Sequence, residues 1–72
     1  MSIKITLNVM LAKRNMKARD LAAFVGITEQ NLSLLRNGKV KGVRFSTLAL
    51  ICEALECKPG DILDFEVDAK VD

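Results

Sequence analysis

Apolar residues recur along most of this chain at helical spacing, with clear polar punctuation between them. Leu7, Met10 and Leu11 predict a first helix ending near Arg14, with Thr6 or Asn8 as its cap and Asn15-Met16 as the break. Leu21, Ala22 and Val25 mark a second helix from about Ala18 to Val25, and Gly26 suits the left-handed conformation that ends a helix. Thr28 is placed to cap a third helix that buries Leu32 and Leu35 and stops at Asn37-Gly38. A basic loop over 38–45 holds Gly38 and Gly42. Ser46 is then expected to cap a fourth helix reaching Leu55 or Glu56, with Leu48, Ile51, Cys52 and Leu55 on one stripe. Pro59 fits the first position of a short fifth helix through Leu63, where Asp61 complements the helix dipole.

Two segments change period. Ile3-Lys4-Ile5 and Phe65-Glu66-Val67 alternate, and together they predict a small antiparallel ribbon joining the two ends. The expected fold class is therefore all-α, a compact bundle of five helices with this ribbon attached. Seventy-two residues are expected to make one domain, 1–72, with a thin core, since a chain near this size buries only about 60% of its unfolded surface.

Composition narrows the picture. The chain is 50% apolar and 28% charged, a globular balance, and no run approaches the roughly 18 apolar residues of a membrane span. No signal-peptide pattern is present, so a cytoplasmic location is expected. There is no histidine, and Cys52 and Cys57 alone supply no four-ligand metal site, so no metal or cofactor is expected. Five residues apart, the two thiols fall on different faces if both lie on one helix, so they are expected as separate reduced cysteines with Cys52 in the core. No glycine-rich phosphate cradle or carboxylate pair suggests an enzyme.

Charge is strongly polarised. Residues 13–44 carry eight basic side chains against two acidic ones, whereas 45–72 carry two against seven. A basic half of that kind points to a polyanionic partner. Within it, two short helices joined at Gly26-Ile27 over about 18–37 have the dimensions of a helix-turn-helix. Ala22 must be small where the third helix crosses, Ile27 fills the angle, and Leu21, Val25, Leu32 and Leu35 clamp the pair. That leaves Glu29, Gln30, Ser33, Leu34 and Arg36 on the outer side of the third helix. Glutamine can pair bidentately with adenine, and serine can serve several base edges.

The stretch 18–45, ARDLAAFVGITEQNLSLLRNGKVKGVRF, resembles the phage repressor and Cro family, the Xre-like helix-turn-helix regulators. The stretch 48–63, LALICEALECKPGDIL, is similar to the tail of short single-domain bacterial members. The resemblance implies a five-helix fold, double-stranded operator DNA as partner, dimeric binding and transcriptional regulation. It also implies base contacts from Glu29, Gln30 and Leu34. Asn37, Lys39, Lys41 and Arg44 match positions that hold phosphates, Arg44 one that can enter the minor groove.

Departures from the family pattern are informative. Lys17 stands where a serine or threonine cap is usual, and Ala18 where relatives often carry a phosphate-binding glutamine, so Lys17 or Arg19 is expected to substitute. Leu34 can only press on a thymine methyl. Glu29 has two readings: an acceptor for cytosine N4, or a first-turn carboxylate favoured by the dipole. Phe24 is expected partly buried under the loop, or else exposed as a partner surface. The competing function is a protein-interaction module, an antitoxin or regulator partner with weak DNA affinity. A weak homodimer is expected through Ile3, Ile5, Ile62, Phe65 and Val67, and no small-molecule ligand, because no room remains for a sensor domain.

Overall fold

The computed structural model describes residues 2–67. Strand β1 (Ser2–Ile5) is followed by α1 (Leu7–Lys13), α2 (Ala18–Val25), α3 (Glu29–Arg36) and α4 (Phe45–Leu55). A single 3-10 turn (Pro59–Asp61) then leads into β2 (Leu63–Glu66). Helices α1 to α4 surround a core of Leu7, Met10 and Leu11, Leu21, Ala22 and Val25, Leu32 and Leu35, and Ile51 and Leu55, closed by Ile62. The stripes expected for α1, α2 and α3 are present in this core, whereas of the α4 stripe Ile51 and Leu55 are in it and Leu48 and Cys52 pack against it half-buried.

All four helices end in the same way. A residue in the left-handed region follows each: Asn15 (φ 53°), Gly26 (φ 87°), Gly38 (φ 68°) and Glu56 (φ 50°). The next backbone N–H then reaches back five residues: Met16 to Leu11 O at 3.0 Å, Ile27 to Ala22 O at 3.1 Å, Lys39 to Leu34 O at 2.8 Å and Cys57 to Cys52 O at 3.0 Å. This is the six-to-one bond of a Schellman turn, which brings the two side chains at its ends together. Glycine and asparagine adopt this conformation readily; Glu56 adopts it against its preference.

The two strands pair antiparallel, with Ile3 opposite Phe65 and Ile5 opposite Leu63. Ile5 and Leu63 pack on the core, whereas Ile3 and Phe65 lie on the same face of the ribbon beyond the helices and are 64% and 56% exposed. The ribbon is tied to α1 where Thr6 donates its N–H to Ile62 O (2.8 Å) and its hydroxyl to Asp61 O (3.0 Å). Lys4 and Glu66 add an exposed ion pair at 3.5 Å, a weak tether. Across the bundle, Arg14 donates from Nε to Leu55 O (2.7 Å) and from Nη2 to Glu56 O (3.1 Å), so α1 covers the C-terminal carbonyls of α4.

Several expectations are corrected. The described residues hold four α-helices, and the expected fifth is a three-residue 3-10 turn, with Leu63 already in β2. Ser46 does not cap α4: the chain turns helical after extended Arg44, which makes no side-chain cap bond, so Ser46 lies within the first turn. Thr6 precedes α1 without capping it, its hydroxyl being spent on Asp61. Cys52 is half-buried rather than a core residue. Cys57 lies past the end of α4, so the helical projection that separated the two thiols does not apply to it. Ile62 is 3% exposed and belongs to the core rather than to a subunit surface. Asp68, Lys70 and Asp72 of the acidic C-terminal stretch lie outside the described residues.

Candidate nucleic-acid interface

The helix-turn-helix is built from α2, the turn over 26–28, and α3. Ala22, 2% exposed, lets the helices approach, and Ile27 packs against the core in the angle between them. Thr28 caps α3 by accepting from the Asn31 N–H at 3.0 Å. With Leu32 and Leu35 buried, Glu29, Gln30, Ser33, Leu34 and Asn37 are exposed across a roughly 140° arc of the helix surface. Glu29 sits in the first turn, as the dipole reading requires.

Arg36 departs from that arc. It lies at the flank, is half-buried, and donates from Nε to Asn8 Oδ1 at 2.7 Å, which fastens α3 to α1. Its expected place on the outer side is therefore corrected. Asn37 also has a structural task, donating its amide to Ser33 O at 2.9 Å and to Ser33 Oγ at 3.4 Å. Leu34 lies on the outer arc of α3 and is 41% exposed. Phe24, expected partly buried, is instead 51% exposed.

Lys17, Arg19, Lys39, Lys41 and Arg44 are all exposed. Among the described residues the one ion pair joins Lys4 to Glu66, so none of these five cations has a carboxylate partner there. Lys17 and Arg44 hold a special position. Each is the extended residue that opens a helix, α2 and α4 respectively, and neither helix receives a side-chain cap bond. A cation at a helix N-terminus opposes the dipole. In α2 the Asp20 N–H is taken by Lys17 O at 3.0 Å and the Asp20 carboxylate already lies in the first turn, so the N–H groups of Ala18 and Arg19 are the ones placed to meet an anion. Nothing in the sequence pattern marks Phe45, which follows Arg44 and is 87% exposed. The apolar period carries it into the α4 stripe, yet in the first turn no neighbouring element covers it.

Residues 6–68 match the family model for the Cro/C1-type HTH DNA-binding domain. The chain belongs to this family. A curated protein of Bacillus subtilis (strain 168), "Uncharacterized HTH-type transcriptional regulator YozG", is 57% identical over 68 residues, 94% of this chain and 81% of that protein. The chain is accordingly a DNA-binding transcriptional regulator of the Cro/C1 type, and the interaction-module alternative is not favoured. Among the described residues, no helix is long and apolar enough to cross a membrane.

Proposed function

We propose that this Cro/C1-type protein reads a double-stranded operator as a single helix-turn-helix domain, with α3 in the major groove. Gln30 and Ser33 meet base edges, Leu34 presses on a thymine methyl, and Glu29 accepts from cytosine N4. Lys17, Arg19, Lys39, Lys41 and Arg44 hold phosphates. Arg36 and Asn37 serve the fold first, through Asn8 and Ser33, and would reach a phosphate only with donors beyond those bonds. The observation that carries this reading is the exposed polar arc of α3 together with two uncapped helix N-termini headed by cations. A phosphate at either one converts an unfavourable charge arrangement into a favourable one. The mechanism needs no cofactor, metal or catalytic group, and it operates where the DNA is, in the cytoplasm.

Assembly follows from information content. One helix-turn-helix reads only a half-site, so a homodimer on an inverted repeat is proposed, joined through Ile3, Phe65 and Val67. Selection from a random duplex pool, followed by affinity measurements on the selected site, tests the whole reading. Gln30→Ala should cost about 1–3 kcal/mol on the selected sequence and little elsewhere. An unchanged motif and affinity in that variant would remove α3 as the reading element.

A further inference from the structure

The two cysteines lie outside the residues proposed above to contact DNA. Cys52 and Cys57 occupy the two ends of the Schellman turn that closes α4, where the Cys57 N–H donates to Cys52 O at 3.0 Å. The corresponding pairs in the turns after α1 and α2 are Leu11 with Met16 and Ala22 with Ile27, apolar contacts of the kind this turn favours. After α4 the same geometry brings two thiols together. N and O bonded at that distance keep the two Cα atoms within the roughly 4.4–6.8 Å that disulfides span. Both side chains are half-buried and free, and both border one open surface cavity with Glu53, Lys58, Pro59 and Asp61.

We propose that Cys52 and Cys57 form a reversible intrachain disulfide across this turn, with a low-molecular-weight disulfide as the oxidant. The Cys57 thiolate attacks one sulfur of the oxidant, and the other sulfur leaves as a thiol. The Cys52 thiolate then attacks the Cys57 sulfur and displaces the second thiol. Two S–H bonds are lost and one S–S bond forms. Two electrons and two protons pass to the oxidant, which becomes two thiols. Burial pushes the Cys57 thiol up, with the Cys52 thiol and Asp61 acting in the same direction and Arg14 opposing them. The thiolate is thus scarce at neutral pH, and the reaction accelerates as pH rises.

Oxidation locks the segment that Arg14 grips through Leu55 O and Glu56 O. It stabilises the fold without reaching the DNA-facing end of α4, about 16 Å away along an 11-residue helix. The test exposes the full chain to glutathione disulfide, quenches with iodoacetamide and records the intact mass. The expected product has lost two hydrogens, takes up no alkyl group and reverts with dithiothreitol. It melts about 5–10 °C higher than the reduced protein and binds DNA equally well. Cys52→Ser should instead accumulate a glutathione adduct on Cys57. Two alkylated thiols, a stable adduct or a disulfide-linked dimer in the unmodified sequence would overturn the proposal, as would an oxidised form that melts no higher.

Discussion

At Lys17 the requirements of the folded chain and of the proposed DNA contact diverge. A serine there would accept from a first-turn N–H of α2, a contribution of about 1 kcal/mol that the lysine cannot make. The lysine also sets a positive charge against the positive end of the helix dipole. Both costs make sense if the anion that completes the N-terminus is a phosphate of the DNA. Lys17→Ser is therefore expected to raise the melting temperature of the free protein while weakening its DNA complex. In the complex, the slope of log affinity against log salt should become shallower by about one. Thermal melts and a salt titration on the same two proteins check this, and a stabilised variant with undiminished affinity would count against a phosphate at Lys17.

At the scale of the element, Arg14 separates charge that serves the fold from charge proposed to serve the ligand. It belongs to the basic half of the sequence, yet both its bonds go to carbonyls at the end of α4. Arg14→Ala should cost about 1 kcal/mol of stability and leave the salt slope of DNA binding unchanged, whereas Lys41→Ala should reduce that slope by about one. Equal slope changes in the two variants would contradict this division. The partner of Arg14 is 41 residues away, so no local pattern reveals it. The same distinction governs what the sequence discloses elsewhere. The stripes of α1 to α4, the alternating ribbon and the glycine-ended helices were legible, because period and left-handed preference are local properties. Ser46 misled because a good capping residue stands two positions inside a helix that Arg44 opens. Pro59 and Asp61 signal a helix start, but the chain continues for only one 3-10 turn before Ile62 enters the core. The thiol pair was hidden by projecting a helix past Glu56, a residue with no preference for the left-handed turn it adopts.

Across the whole molecule, the basic side chains concentrate in one stretch, while exposed apolar residues occur both there, at Phe24 and Leu34, and on the ribbon. The basic stretch 13–44 holds the helix-turn-helix, while the ribbon that joins the two ends carries the large apolar residues Ile3 and Phe65. If four to six phosphates are neutralised per chain, log affinity should fall against log salt with a slope of roughly −4 to −5. A half-site of four or five base pairs is too little information to locate one operator among genomic sequence, which is the ground for the proposed second copy. The ribbon offers it a narrow surface. Ile62 is buried and Ile5 half-buried, leaving Ile3, Phe65 and Val67 beside open strand edges. The proposed contact would support only a weak dimer in free solution, stabilised on DNA that holds two copies at fixed spacing. The selected operator should be an inverted repeat with half-site centres about 34 Å apart. Phe65→Asp should leave a single half-site bound as before and weaken binding to the full repeat by at least an order of magnitude, equivalent to about 1.4 kcal/mol. Sedimentation of the complex counts the chains: one chain on a non-palindromic site, or a Phe65→Asp protein that still pairs on the repeat, would remove the ribbon as the dimer contact.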